Sequence, residues 1–278
     1  MIDEFIQQEL RAHFNPEGSP LRKHQLKLLE LLKAFDSICQ QHGIRYWLSS
    51  GNCLGAVRHG GFIPWDDDVD VEMLRKDYDL LLKSFSENED YAIQTHDNDL
   101  FYAAAYAKFR DKHSVIDEHA YGFTDNYADK KYKYRGVYID VFCIEMTNKF
   151  LCHLSQYFSS RIIHLASITD QNNRYSLLLY RVSKSFFFYL LSFFRIIDRI
   201  IPGKRLRHAY GEGFYTNERD KRDIFPIKRT HFEYLELPIP NDADSYLKRI
   251  YGDYWAIPPL EMIRKPHVVK VDYLDNDS

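Results

Sequence analysis

The sequence predicts an α+β chain into which a helical hairpin is inserted, and three observations predict it. A helical period carries Leu21, Leu28, Leu32, Phe35 and Cys39 along one stripe. Runs of high β-propensity follow at 44–48, 69–73 and 136–143, separated by helical and polar stretches. From 150 to 201 the strand signal ceases, and a segment rich in Leu, Ile, Phe and Tyr carries six basic residues against two acids.

In chain order, 2–14 reads as a short helix broken by Asn15-Pro16-Glu17-Gly18-Ser19-Pro20. The helix from Leu21 stops at Gly43, and a strand occupies 44–48. A short helix at 52–59, a loop at 60–64, the strand 69–73 and a helix at 76–85 come next. Strands are expected at 91–96 and 102–110, a loop at 117–135, and the strand 136–143 before the two inserted helices. Pro202-Gly203 ends the insertion. The tail is read as a short helix, loops around Pro226, Pro238 and Pro240, and a helix at 242–251.

The 278 residues suit one large domain or one domain with a sizeable insertion. A net charge of −3 speaks against a nucleic-acid binder, which ordinarily carries a basic excess. Cys39, Cys53, Cys143 and Cys152 include no CxxC pair and sit in apolar contexts, so reduced core thiols are expected. The first residues show neither a basic n-region nor an apolar h-region, and the expected compartment is the cytosol.

The densest chemical signal is Trp65-Asp66-Asp67-Asp68-Val69-Asp70, four acids in five positions. Their mutual repulsion disfavours folding unless a cation offsets it. In an extended strand Asp68 and Asp70 share a face, Val69 points to the core and Asp67 faces away. Two carboxylates at that spacing suit one hard cation, Mg²⁺ or Mn²⁺. A solvated acidic turn with Asp68 as a helix cap is the competing reading. Asp140 lies inside the apolar strand 136–143, where a carboxylate is either paired, metal-bound or bonded to backbone at a strand end. With Asp68 and Asp70 it would complete a catalytic, metal-binding triad of the kind that phosphoryl and nucleotidyl transfer use. Ser50, Gly51 and Asn52 open a short helix whose N–H groups suit a donor phosphate, although such a run is also an ordinary cap. Arg58 and His59 follow and are expected to reach phosphate oxygens. Lys108 and Arg110 share a strand face and read either as phosphate contacts or as ordinary edge-strand charges.

The run Tyr46-Trp47-Leu48-Ser49-Ser50-Gly51-Asn52-Cys53-Leu54-Gly55, continuing through Arg58-His59-Gly60-Gly61-Phe62-Ile63-Pro64-Trp65-Asp66-Asp67-Asp68-Val69-Asp70-Val71, closely resembles the signature of the LicD family. That family includes bacterial phosphocholine transferases and is related to the fukutin-type proteins of the nucleotidyltransferase fold. The likeness spans roughly 21–145 and 220–267 and takes in Gly136-Val137-Tyr138-Ile139-Asp140-Val141-Phe142 and Tyr251-Gly252-Asp253. It implies a nucleotidyltransferase-like mixed β-sheet flanked by helices, with a catalytic core at 1–149, the insertion at 150–203 and a part at 204–278 that closes onto the core. It further implies transfer of phosphocholine or a similar phospho-alcohol from a CDP-activated donor to a sugar hydroxyl. The acceptor would be a glycan or its lipid-linked precursor, in lipopolysaccharide, teichoic acid or capsule biosynthesis, and the cofactor a divalent metal. Where the family usually shows Gly-Thr-Leu-Leu-Gly this chain has Gly51-Asn52-Cys53-Leu54-Gly55, which leaves the donor open. A nucleotidyltransferase that makes an activated donor and a non-catalytic partner of a glycan-modifying complex remain alternatives.

The charge-free stretches within 150–201 fall well short of the ~20 residues of a spanning helix. Two readings stay open. The hairpin packs on the core or across a homodimer interface, or it meets the inner face of a membrane peripherally through Phe186, Phe187, Phe193 and Phe194 beside its basic residues.

Overall fold

The computed structural model describes residues 2–118, 128–200, 203, 205–212, 218–259, 261, 263 and 268–274. Helix α1 (Glu4–Phe14) and the long α2 (Pro20–Gln41) open the chain. Ser19 caps α2 by accepting the Arg22 N–H at 3.2 Å, and Pro20 takes the first turn, where a missing N–H costs nothing. Strand β1 (Trp47–Leu48) leads into α3 (Ser50–His59), and β2 (Asp70–Leu74) into α4 (Arg75–Ser84). Strands β3 (Tyr91–Gln94), β4 (Ala107–Asp111) and β5 (Ser114–Glu118) follow, then a 3₁₀ turn (Ala128–Lys131), the long β6 (Tyr138–Thr147) and the hairpin of α5 (Lys149–Ile168) and α6 (Arg174–Ile200). The remainder holds β7 (Arg205–His208), α7 (Lys221–Ile224), β8 (Lys228–Phe232), β9 (Leu235–Ile239), α8 (Ala243–Tyr251) and β10 (Val268–Tyr273).

The main sheet is mixed, as the α+β expectation requires. Its order is β1-β2-β6-β4-β3; β2 and β6 are parallel, and the other pairs are antiparallel. Val141 pairs with Val71 on one side and Ala107 on the other, while Ile144 pairs with Leu74 and His208. β4 and β7 therefore lie end to end along one edge of β6. One sheet face carries Val69, Val71, Met73, Phe109, Ile139 and Val141, all buried in the main core with Leu28, Leu29, Leu32 and Phe35 of α2. The opposite face carries the polar residues of the site. The hairpin forms a second cluster, in which Tyr180, Phe187, Leu191 and Phe194 of α6 pack with Ile162 of α5, Phe101 and Tyr210. All four cysteines are free and buried: Cys39, Cys53 and Cys143 in the main core and Cys152 in the hairpin cluster.

Several elements depart from the sequence reading. The strand expected at 44–48 shrinks to Trp47–Leu48, and that at 102–110 begins only at Ala107. The loop expected at 117–135 starts inside β5 and contains the 3₁₀ turn; its 119–127 portion lies outside the described residues, as does Pro202. The tail, read as loops around Pro226, Pro238 and Pro240, holds β7, which extends the main sheet, and the β8–β9 hairpin. It also holds β10, which pairs with β5. Proline discourages a strand reading, but Pro238 sits in a two-stranded ribbon where one missing ladder bond is tolerated.

The four phenylalanines expected at a membrane divide between two faces of α6. Phe187 and Phe194 are each 4% exposed, whereas Phe186 is 66% and Phe193 55% exposed. At 3.6 residues per turn, the buried stripe of Tyr180, Phe187, Leu191 and Phe194 lies opposite an exposed one of Leu178, Val182, Phe186, Tyr189, Phe193 and Ile196. By length and composition alone the stretch Arg174–Asp198, which contains an 18-residue window of mean hydropathy 1.3, is long and apolar enough to cross a membrane. Its inner stripe is nevertheless already occupied by protein. Phe187→Glu or Phe194→Glu is therefore expected to destabilise the chain by about 3 kcal/mol or more in urea titrations. Phe186→Glu and Phe193→Glu should stay within about 0.5 kcal/mol of the parent.

Candidate active site

Three adjacent strands place the acids. Asp70 of β2 stands opposite Asp140 of β6, and Asp140 stands opposite Lys108 of β4. Residues in register share a sheet face, so two carboxylates and one ammonium stand abreast. Lys108 Nζ lies 2.8 Å from Asp140 Oδ1 and 3.1 Å from the centroid of the Tyr138 ring. Upstream of β2 the acids continue with Asp68 and Asp66, and the Asp68 charge acts on the Asp66 carboxyl. Burial, then Asp68, Asp140 and Asp66 in turn, push the Asp70 carboxyl well above its usual range against the pull of Lys108. Burial, Asp68 and Asp67 raise Asp66 likewise.

The backbone between these acids is held by Asn52. Its Nδ2 donates to the Asp68 carbonyl at 3.1 Å, and its Oδ1 accepts the Asp70 N–H at 2.6 Å. Gly51 faces Asp66; a Cβ there would stand 3.2 Å from Asp66 Oδ2. Gly55, further along α3, faces the next turn; a Cβ on it would lie 2.4 Å from the Gly61 carbonyl oxygen, so only glycine allows the helix so close.

Behind the acids lies Glu72, fully buried on the Asp70 face of β2. It accepts hydrogen bonds from Trp47 Nε1 at 2.9 Å, Ser49 Oγ at 2.9 Å and the Tyr246 hydroxyl at 3.1 Å. Arg219 donates to it from Nη2 at 2.6 Å, and His208 Nε2 lies 3.1 Å away. Burial alone would raise the Glu72 carboxyl, but Arg219 and His208 outweigh it and hold the group well below its usual range.

Residues 43–164 contain α3, β2, β4, most of α5, and every acid of this set. They match the family described as LicD/FKTN/FKRP, nucleotidyltransferase domain. The chain carries a LicD-family domain. It is 26% identical over 272 residues to the lipopolysaccharide cholinephosphotransferase LicD of Haemophilus influenzae, covering 91% of this chain and 98% of that protein. An uncharacterized protein of Rickettsia typhi is 32% identical over 131 residues, 41% of each chain. The human ribitol 5-phosphate transferase FKRP is 44% identical over 50 residues, 18% of this chain and 10% of its own length.

Within the LicD-family domain, some expected phosphate contacts are engaged elsewhere. Ser50, at φ +40°, donates its N–H to the Tyr246 hydroxyl at 3.2 Å. The Asn52 N–H goes to the Ser49 carbonyl at 2.9 Å, so Asn52 acts as a clasp on the acidic strand and not as a phosphate cradle. Arg58 is buried, and its Nη1 donates to the carbonyls of Tyr254 at 2.7 Å and Ala256 at 3.1 Å. His59 is bonded to Gln7 at 2.6 Å and is pushed down to about 3 by burial and the Arg58 charge. Both residues fasten α3 to neighbouring segments. Arg110 is fully buried, donating to Gln94 at 2.8 Å and to the Gly136 carbonyl at 2.7 Å, so it ties β4 to β3 and to the segment that leads into β6. β4 is an interior strand, which removes the edge-strand reading of Lys108 and Arg110.

Sequence reasoning overlooked Asp66 and Glu72, although one signal pointed to both. The alternation that pairs Asp68 with Asp70 extends one step in each direction. Glu72→Gln is expected to cost about 3–5 kcal/mol in chemical denaturation, because it leaves the Arg219 guanidinium buried without its counter-charge.

Proposed function

We propose that this chain, an enzyme of the LicD phosphotransferase family, moves a phospho-alcohol from a CDP-activated donor to a sugar hydroxyl of a cell-surface glycan or its lipid-linked precursor. The observation that carries the reading is the row Asp70–Asp140–Lys108 on one sheet face, with Asp68 and Asp66 next in the alternation. The relatives named as a cholinephosphotransferase and a ribitol 5-phosphate transferase support the class of group transferred.

Among the described residues no three His, Cys, Asp or Glu side chains stand together at metal-ligating spacing. The donor set itself suits a hard divalent cation, because the charges of Asp68, Asp140 and Asp66 all act on Asp70 and these side chains offer only oxygen. Asp68 and Asp70 would hold Mg²⁺ or Mn²⁺ there, and Asp140 would be within the set. Such an ion, when bound, neutralises charge on the transferring phosphoryl group and on the departing nucleotide. The protein's own contribution is positional. Asn52 fixes the strand that presents Asp68 and Asp70. Lys108 orients the Asp140 carboxylate, which takes the proton of the attacking sugar hydroxyl.

Mass spectrometry of reactions with CDP-choline, CDP-ribitol and CDP-glycerol in the presence of a glycan acceptor tests the reading. CMP release with a phospho-alcohol on the glycan, abolished by EDTA and restored by Mg²⁺, is expected. Consumption of CTP and a phospho-alcohol with release of pyrophosphate would instead make the chain a donor-synthesising nucleotidyltransferase. Asp140→Asn should lower turnover by about 10²–10⁴-fold. Asp68→Asn and Asp70→Asn should be inactive while remaining folded. In EDTA the thermal midpoint of Asp70→Asn should equal or exceed the parent's, since the ionised group is disfavoured by its neighbours at neutral pH.

A lipid-linked acceptor would bring the chain to the inner face of a membrane. The outer stripe of α6, flanked by the exposed Arg174 and Arg181, provides a surface suited to anionic lipid. The chain is expected to co-sediment with phosphatidylglycerol vesicles at low salt, and Phe186→Glu with Phe193→Glu to release it at an unchanged thermal midpoint. If the chain stays in solution as a dimer that the same pair of substitutions splits, the stripe is a homodimer interface.

A further inference from the structure

A cavity of about 240 Å³ lies between α5 and the segment that follows β7. Its walls include Tyr106, Gln156, Ser160, Ile163, Gly211 and Glu212. The cavity adjoins the acid row through Tyr106, whose ring centroid is 4.7 Å from that of Phe142 and 5.8 Å from Lys108 Nζ. From there the ion pair of Lys108 with Asp140 is the next contact.

The walls are built firmly. α5 grips Gly211 from both sides: Ser155 Oγ accepts its N–H at 3.0 Å, and Ser159 Oγ donates to its carbonyl at 2.8 Å. Gly211 has φ +82°, and a Cβ there would meet Leu191 Cδ1 at 2.7 Å, so the segment can take this path only with glycine. Glu212 is 2% exposed. Its Oε2 accepts the Cys143 N–H at 2.8 Å, where β7 has left the edge of β6. Its Oε1 has no hydrogen-bond partner among the described residues. A buried carboxyl oxygen left without a partner is costly, and a ligand hydroxyl would satisfy it.

We infer that this cavity is the subsite for the acceptor's sugar ring, an inference that rests on the phosphotransferase reading above. A pyranose presents hydroxyls that both donate and accept, together with a C–H face of low polarity. Gln156 offers a donor and an acceptor on one amide, Ser160 a hydroxyl, and Glu212 its second carboxyl oxygen. The Tyr106 ring and Ile163 offer the apolar wall. Among the described residues the lining carries no cation, so a phosphate or nucleotide meets no counter-charge from them, which separates the subsite from the donor's end. Burial also holds the Glu212 carboxyl well above its usual range, with Glu145 adding to the effect and Arg75 opposing it. In the protonated form it donates to a sugar oxygen as well as accepting.

Saturation-transfer NMR on the full chain, without donor, tests this with methyl α-glucopyranoside, methyl β-galactopyranoside and methyl N-acetyl-β-glucosaminide as probes. At least one is expected to receive saturation on its ring protons. Ser160→Trp fills the mouth of the cavity from an exposed position whose hydroxyl bonds only within its own helix. It should abolish the signal at an unchanged thermal midpoint. Glu212→Gln, which keeps the oxygen facing the Cys143 N–H, should weaken probe affinity about tenfold. Asp68→Asn should leave it intact. Signals equal in Ser160→Trp and the parent, or no saturation of any probe, would overturn the subsite. Loss of CDP-choline saturation in Ser160→Trp would overturn it too, by giving the cavity to the donor. The phosphotransferase reading fails separately, when the donor panel yields no product although a glycoside binds.

Discussion

One buried carboxylate organises the centre of this protein. Glu72 has no access to water, and its ionised form is tolerable only because Arg219 supplies a counter-charge and Trp47, Ser49 and Tyr246 supply hydrogen bonds. Those partners come from β1, the cap of α3, the segment after β7 and α8. Tyr246 passes the constraint on, since its hydroxyl also receives the Ser50 N–H and so fixes where α3 begins. α3 in turn carries Asn52, which clasps the peptides of Asp68 and Asp70. The placement of Asp68 and Asp70 is thus the last link of a chain of contacts that starts two residues further along the same strand.

Much of this was legible in the sequence, and the reasons differ element by element. The stripe of α2, the alternation around Val69 and Val71 and the acid inside β6 are local patterns, and they singled out Asp68, Asp70 and Asp140, of which the register sets Asp70 beside Asp140. Lys108 was noticed as a base on a strand, but its pairing with Asp140 depends on the register of β4 against β6, which no local pattern encodes. The β5–β10 pair joins segments about 150 residues apart and was invisible for the same reason. Arg58 and His59 misled because adjacency to the motif was taken for direction. Two turns of α3 carry position 58 about 10 Å along the axis past position 51, and there Arg58 bonds to the Tyr254 carbonyl and His59 to Gln7.

The insertion shows how far composition can be pushed. Its apolar excess was plain, yet periodicity alone could not tell one wide face from two opposed ones. The structure resolves it into an inner stripe that builds a second core and an outer stripe of comparable size. Lys184, which lies beside the inner stripe, is accommodated by the carbonyls of Asp99 and Leu100 at 3.0 and 2.8 Å, and burial pulls it down to about 8. α5 and α6 are therefore anchored to the sheet's periphery by polar as well as apolar contacts.

The distribution of the thiols makes these two cores separately observable. Cys39, Cys53 and Cys143 belong to the cluster around α2 and the sheet, and Cys152 to the cluster under the hairpin. Burial raises every one of them, which suppresses the thiolate that alkylating reagents and oxidants attack. In the native state, modification must wait for local opening, and each cysteine then reacts at the rate at which its own cluster loosens. The chain thus carries four built-in clocks, three timing the main sheet and one timing the inserted helices.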